Sequence, residues 1–552
     1  MNQRNQFILG FSDSVHDRSV CIFDGARPLV AIEEERLSRV KHGLNLYRES
    51  RTNPALFASM NLENSGADAN QERLMPAVRY CLDALGLQMA DLSLIIGNSL
   101  HIAFPFREQA VYLNHHLAHA ASAFFGSGFS EAAILVADGY GDLTSSQTYE
   151  TVLLADGHDS AIDVLRRVTG RVSTYYDMEN SLGVFYRIGT LLSGFGVFDE
   201  GKAMGLSAYG KPRHVELIRA HIAFEEGRVL IDNKAIWDAC SAKLGGQSEF
   251  QPRADIAASF QALLEEVVMH YAQHLRATTG RKRLCIAGGV GLNCVSNAKL
   301  QKHSGFEEVF VFPAAGDNGI AFGAAYFAAH SILGLPRTAA LHHAYFGRTY
   351  TASEVKEALS DKSSALNAEE LPEGELTARA AAALHQGHVI MWFQGGSEIG
   401  PRALGHRSIL ASPVKASTRD HINALVKYRE AFRPLAPMVL EECVAEYFEF
   451  DSSSPFMLFS PTTTKSTRQC APAIVHHDGT ARLQTISRAA NSLIHQLITA
   501  FRALSGVPIV LNTSLNGKDE PIVETPTQAL DAFLNSPVQH LFIEGHLVVK
   551  KG

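Results

Sequence analysis

Apolar runs alternate with polar turns from the start of the chain. Residues 7–11 are apolar, 12–19 polar and 20–23 apolar again, ending in Asp24-Gly25. The layout returns at 132–137, 138–144 and 151–154, ending near Asp156-Gly157. Each copy predicts strand, polar turn and strand, and the repetition suggests a duplicated α/β architecture. Helices are predicted over 73–85 and, longer and amphipathic, over 255–278. A buried strand is expected at 283–286, running into Gly288-Gly289-Val290-Gly291. Another is expected at 309–312, running into Gly316-Asp317-Asn318-Gly319 and a small-residue helix. Between 335 and 350 the periodicity is lost and Pro336 breaks the preceding helix, so a boundary is expected there. A helical pattern resumes at Ser353, and strands and helices alternate to the end. The Ser/Thr/Pro-rich segment 451–467 is expected to be a mobile loop.

Length and composition narrow the class. A chain of 552 residues predicts two or three domains. With 46% hydrophobic and 19% charged residues it is globular rather than disordered. The formal net charge of -8 gives no overall attraction to nucleic acid or an anionic membrane, so neither is expected as a partner. The seven cysteines form no C-x-x-C pair, which argues against a disulfide framework or a thiolate zinc site and fits a reducing cytoplasm. The first seven residues lack a signal-peptide pattern, and no apolar run is long enough to span a bilayer. A cytoplasmic protein is expected.

The first candidate chemistry lies in Asn114-His115-His116-Leu117-Ala118-His119-Ala120. On a helix His115 and His119 lie about 40° apart, so both imidazoles face one way, as a metal requires. Among 24 histidines such spacing arises by chance, and His270 and His274 repeat it. Spacing alone does not rank the pairs; context does. About twenty residues after the first pair a predicted strand ends at Asp138 in a Gly-rich turn, and Asp317 occupies a second such turn. Two imidazoles and two carboxylates would suit a divalent cation. The plainer roles are a helix cap for Asp317 and turn chemistry for Asp138.

Two glycine-rich stretches have competing readings. The turn at Gly288, Gly289 and Asn293 would let backbone amides approach a nucleotide, or is simply a tight strand-to-helix turn. Gly196-Val197-Phe198-Asp199-Glu200-Gly201-Lys202-Ala203 nearly matches a phosphate loop, but Ala203 replaces the magnesium-binding hydroxyl and two acids would repel phosphate. That stretch is expected to line or support an acceptor pocket.

Seven cations, Arg402, Arg407, Lys415, Arg419, Lys427, Arg429 and Arg433, face only Asp420 and Glu430 within one short segment. Guanidinium forks match phosphate oxygens, and the sparse aromatics favour small polyphosphates over nucleic acid; a solvated helix face is the plainer reading. Asn512-Thr513-Ser514-Leu515-Asn516 then closes an apolar strand with a dense polar turn.

Taken together, the motifs resemble the O-carbamoyltransferase family that includes nodulation protein U and the antibiotic O-carbamoyltransferases. The matching pieces are Val15-His16-Asp17-Arg18-Ser19, Glu33-Glu34-Glu35-Arg36, the histidine motif and Glu200-Gly201-Lys202-Ala203-Met204-Gly205-Leu206. They continue with Gly316-Asp317-Asn318-Gly319, Gly400-Pro401-Arg402-Ala403-Leu404-Gly405-His406-Arg407-Ser408, Lys427-Tyr428-Arg429-Glu430-Ala431-Phe432-Arg433-Pro434 and Leu511-Asn512-Thr513-Ser514-Leu515-Asn516. They follow family order over nearly the whole chain. No family motif is recognised in 47–70, which is where an acceptor pocket could differ.

The resemblance implies an α/β protein of two domains. Residues 1–335 would form an actin-like duplicated domain similar to the tRNA threonylcarbamoyl-transfer enzymes. Residues 336–350 would be a linker, and 351–552 a YrdC-like domain. It implies that the C-terminal domain makes carbamoyl adenylate from ATP and carbamoyl phosphate, and that the N-terminal domain passes the carbamoyl group to a hydroxyl of a small natural product, an antibiotic or sugar-containing metabolite. It implies metal ligation by His115, His119, Asp138 and Asp317, with iron as the metal and magnesium accompanying ATP. His16 would be the general base. Arg402, Arg407, Lys427, Arg429 and Arg433 would hold the phosphates, with Asn512 and Ser514 completing the pocket and Gly288, Gly289 and Asn293 contributing to nucleotide binding. Oligomeric state stays open, a homodimer being one form. Two other functions compete: a tRNA threonylcarbamoyl-type or hydrogenase-maturation enzyme, disfavoured by net charge and by missing cysteine pairs, and an ATP-driven binding module of the chaperone kind.

Overall fold

A computed structural model describes residues 6–14, 16–43, 67–99, 109–172 and 177–551. Val15 and residues 47–66 of the stretch without a family motif lie outside the described residues. The chain divides into two compact units, Met1–Leu341 and His342–Gly552.

In the first unit, strands β1 (Phe7–Asp13), β2 (Ser19–Asp24), β3 (Arg27–Glu33), β4 (Leu92–Ser99) and β5 (Ala110–Tyr112) form one sheet in the order β3-β2-β1-β4-β5. β2 and β3 run antiparallel as a meander, whereas β4 is parallel to β1 and β5 to β4. β1 is buried almost throughout, as a central strand covered on both faces must be.

A second sheet repeats the plan. It is built from β6 (Glu131–Ala137), β7 (Leu143–Ser145), β8 (Thr148–His158) and β9 (Ala161–Arg171). After a separate hairpin of β10 (Ile222–Glu225) and β11 (Arg228–Ile231), β12 (Arg283–Ala287) and β13 (Glu308–Val311) complete it. β8 and β9 extend antiparallel from β6 on one side; β12 and β13 follow in parallel on the other. The strand–turn–strand repeat in the sequence is thus a repeat of whole sheets. β9 has no apolar alternation, with Asp163 to Arg167 exposed, and it pairs through its backbone along β8.

Helices then bring distant residues together. His115–Ser127 packs on Ile320–Phe327, the helix that follows Asp317. The approach depends on Gly323: a Cβ there would lie 1.8 Å from the Ala118 carbonyl oxygen. The predicted long helix runs Phe250–Thr279, and the earlier one Ala67–Leu85 with Pro76 inside it. None of the seven cysteines forms a disulfide.

The second unit holds a mixed eight-stranded sheet. Its members are β14 (Leu366–Glu370), β15 (Ile390–Phe393), β16 (Arg407–Ala411), β17 (Ala436–Leu440), β18 (Gln484–Ile486), β19 (Ile509–Ser514), β20 (His540–Ile543) and β21 (His546–Lys550). They lie in the order β14-β21-β20-β15-β16-β19-β17-β18. Helices Glu373–His385 and Ser492–Ser505 pack against each other beside it.

The segment 451–467 is not the mobile loop expected. Phe456, Met457, Leu458 and Phe459 are buried, and isolated bridges tie Thr463 to Phe448 and Phe459 to Leu483. Its small polar residues point inward: the Ser454 hydroxyl donates to the Leu483 carbonyl at 2.8 Å. Composition suggested a loop, but the side chains satisfy backbone groups instead. Among the described residues, no helix is long and apolar enough to cross a membrane.

Candidate active site

The parallel strands of both sheets deliver their C-terminal ends to one place. Asp138 follows β6 and Asp317 follows β13. His115 and His119 sit one turn apart on the helix joining the two sheets, which Asn114 caps by accepting the Leu117 N–H at 2.9 Å. His115 Nε2 lies 3.2 Å from Asp138 Oδ2 and 3.5 Å from Asp317 Oδ1. His119 Nε2 lies 3.6 Å and 3.5 Å from the same two atoms. All four residues are buried, and their ligand atoms lie within 4.8 Å of one another. His116 stays apart from this cluster, its Nδ1 being 3.6 Å from Glu150.

The donor set fits a divalent cation. Both ring nitrogens of the buried His119 lack a hydrogen-bond partner, an uncommon cost unless something else uses them. Two imidazoles with two carboxylates are the chemistry of borderline metals. Burial penalises the Asp138 charge, but the hydrogen bond from His115 and the charge of the His115 and His119 imidazoles beside it hold its carboxyl well below the usual range. Burial also opposes a charge on His115, yet Asp317 and Asp138 push it up to about 10. Asp317 is not a side-chain cap for the helix after it; its carboxylate accepts the Ser14 hydroxyl and faces the imidazoles.

His16 stands at the edge of this cluster, with Nε2 3.8 Å from Asp317 Oδ2. Asp17, in the left-handed region at φ 56°, accepts from His16 Nδ1 at 3.0 Å and from His42 Nδ1 at 2.8 Å. The His42 ring stacks on Phe198, which also meets His16. Burial lowers the His16 pKa, but the charges of Asp317 and Asp17 outweigh it and raise it to about 9. Phe198 belongs to the rejected phosphate-loop lookalike, so that segment forms a wall beside His16.

The glycine turn after β12 backs the cluster. Gly289 N–H donates to Asp138 Oδ1 at 3.0 Å. Gly288 has φ +85°, and a Cβ on it would lie 2.3 Å from the Ala137 carbonyl oxygen. Asn293 caps the next helix through Ser296 N–H and exchanges amide hydrogen bonds with Gln261. His270 and His274 sit on the long helix, bonded to the Glu225 carbonyl and to Thr278. They join none of the His/Asp/Glu clusters found among the described residues.

In the second unit the cations divide by what they touch. Arg407 is fully buried, and its two terminal nitrogens donate to the carbonyls of Gln394, His406, Gly395 and Glu524. Lys427 Nζ donates to the Ser514 and Asn516 carbonyls and to the Asn516 side chain, pinning the turn after β19. Ser514 Oγ donates to Asn516 Oδ1. Asn512 Nδ2 donates to the Ala403 carbonyl at 2.9 Å, fixing the loop that carries Arg402. Arg429 is different: Nε donates to Asn423 Oδ1, but the buried Nη2 has no partner. Burial, then the neighbouring Arg433 charge, lowers its pKa to about 9. Two guanidinium groups that repel each other are a place where an anion would be stabilised.

Sequence reading gave no role to Ser14, Asp17, His42, Asn98 and Asp142. Asp17 stands in the motif beside His16, and Asp142 in the Asp138 turn, which were their local signals.

A buried histidine–aspartate cluster thus sits at strand ends of the first unit, and closely spaced cations lie in the second. Residues 90–326 match the family model for the carbamoyltransferase N-terminus, and residues 381–550 that for the carbamoyltransferase C-terminus. The chain belongs to the carbamoyltransferase family and is an enzyme that transfers carbamoyl groups. Nodulation protein NolNO of Sinorhizobium fredii is 36% identical over 97% of this chain and 79% of its own length. Nodulation protein NolO of Bradyrhizobium diazoefficiens is 39% identical over 80% of this chain and 79% of its own. Among solved structures, full-length HypF in its phosphate- and nucleotide-bound form is 14% identical with a TM-score of 0.38, covering 60% of this chain and 56% of that one.

Proposed function

We propose that this carbamoyltransferase is ATP-dependent and works in two steps on two units. The C-terminal unit, read as YrdC-like, would hydrolyse carbamoyl phosphate to carbamate and phosphate and then adenylate the carbamate with ATP, releasing pyrophosphate. The N-terminal unit would pass the carbamoyl group to a hydroxyl of a small natural product, an antibiotic or sugar-containing metabolite. The convergence of His115, His119, Asp138 and Asp317 beside His16 carries the reading.

In this reading the four residues hold a divalent cation, iron by family resemblance. When bound, such an ion polarises the carbamoyl carbonyl or the adjoining phosphate. His16 Nε2 takes the proton of the acceptor hydroxyl, while Asp17 accepts from Nδ1, orients the ring and offsets the charge that forms. Arg402, Arg429 and Arg433 bind phosphate oxygens, with magnesium accompanying ATP. Arg407, Lys427, Asn512 and Ser514 shape the loops around them, and Gly288, Gly289 and Asn293 support the metal turn. Carbamate is a poor electrophile, and adenylation supplies its leaving group. A hydrolysable intermediate calls for a reaction sheltered from bulk water, and a reducing cytoplasm suits cysteines that form no disulfide.

The test is ATP–pyrophosphate exchange with and without carbamoyl phosphate. Exchange that requires carbamoyl phosphate is expected. ATP turnover indifferent to it would favour a chaperone-like ATPase and overturn the proposal.

A further inference from the structure

His115 and His119 are held differently. His119 Nδ1 has no hydrogen-bond partner. His115 Nδ1 lies 3.2 Å from the side-chain oxygen of Asn98, at the end of β4 in the other sheet.

The Asn98 amide has one orientation that satisfies its surroundings. Its nitrogen lies 2.9 Å from the Leu113 carbonyl and 3.2 Å from Asp142 Oδ1. A carbonyl and an ionised carboxylate can only accept, so the amide nitrogen must face them. The oxygen therefore faces His115, and the nitrogen opposite it must carry a proton. Asp142 is fixed in turn: Oδ2 accepts the His115 backbone N–H and the Asn114 amide, both at 2.7 Å. One carboxylate thus grips the N-terminus of the histidine helix, the Asn98 amide and, through its own backbone, the turn that carries Asp138.

We propose that Asn98 and Asp142 are positioning residues for the metal centre, setting His115 as the Nδ1–H tautomer with its Nε2 lone pair aimed between Asp138 and Asp317. This rests on the metal reading above. His115 is the pre-set ligand, and His119 takes its final orientation from the cation. An outer partner on the far ring nitrogen fixes the tautomer and raises ligand basicity.

The experiment is titration of the metal-stripped full chain with cobalt, followed by its visible absorption and by chelator competition. Asn98→Leu removes the acceptor and is expected to weaken cobalt binding by about 10–100-fold. Asn98→Asp sets two carboxylates against each other and is expected to weaken it as well. Adding Asp142→Asn to Asn98→Asp restores the donor–acceptor pair between these two side chains, though the Leu113 carbonyl still faces an acceptor, and is expected to recover part of the affinity, which a general loss of packing would not do. Thermal melting of each metal-free variant separates misfolding from lost orientation. Cobalt binding that survives His115→Ala and Asp138→Ala would sink the metal reading itself. Binding lost in those variants but intact in Asn98→Leu, or a double variant no better than Asn98→Asp, would overturn the role of the pair while leaving the metal reading in place.

Discussion

The hydroxyl of Ser14 donates to the carboxylate of Asp317, 303 positions away in the chain. The turn after the first strand of one sheet is thereby tied to a ligand candidate at the end of the other. Asp317→Asn is predicted to reduce carbamoyl transfer by more than the roughly 10–100-fold typical of losing an outer-shell partner. His119→Ala should do the same, and both should leave AMP and pyrophosphate release largely intact. Mass spectrometry of the product alongside a pyrophosphate assay checks this; equal loss of both steps would contradict the division of labour.

Arg433→Ala should give the opposite pattern. It takes away one of the two adjacent guanidinium groups, so adenylation should fall by about 100-fold, in line with roughly 1.5–3 kcal/mol for each charge-assisted hydrogen bond removed. Supplied carbamoyl adenylate should still be consumed. Normal ATP use by this variant would remove Arg433 from the phosphate site.

Asp17→Asn should lower kcat more than it raises KM. Burial opposes a proton on His16, and Asp317 with Asp17 restores it, to about 9. Losing the Asp17 charge lowers that value. A base must be deprotonated to act, so the rising limb of the pH–rate profile should move to lower pH. An unmoved limb with reduced kcat would point to packing alone.

Metal removal should change how stability depends on pH. In the metal-free protein burial disfavours a proton on His115, but Asp317 and Asp138 raise its pKa from 6.5 to about 10. A pKa raised by folding contributes stability that is present below 6.5 and lost as pH rises through about 10. The cation displaces that proton, so its affinity should climb with pH across the same window. Thermal midpoints of stripped and loaded protein should therefore diverge as pH rises; parallel curves would count against a bound cation.

Gly288→Ala should cost at least about 2 kcal/mol, because a positive φ and a clash with the Ala137 carbonyl coincide. Urea unfolding measures that loss. Cobalt titration should show weaker binding too, since the neighbouring Gly289 amide holds Asp138.

Much of the fold was readable because each half opens with apolar runs flanking a polar turn, and Asp138 falls at the end of one of those runs. β9 was not readable: Asp163, Arg166 and Arg167 interrupt any alternation, and backbone pairing with β8 decides the matter. Nor were Asn98 and His42, since a lone polar residue acquires meaning only from what the tertiary fold sets opposite it. A count of cations likewise cannot separate Arg407, whose donors go to carbonyls, from Arg429, with one nitrogen unpartnered.

The duplicated plan has a consequence for rigidity. One sheet supplies Ser14, His16 and Asn98, while the other ends in Asp138 and Asp317. Ser14 bonds Asp317, the Ser19 hydroxyl bonds the Asn318 carbonyl, and the helix Ile320–Phe327 packs on β1. Drawing His16 away from Asp317 therefore requires breaking ties between the sheets, so the reactive geometry is assembled by folding itself.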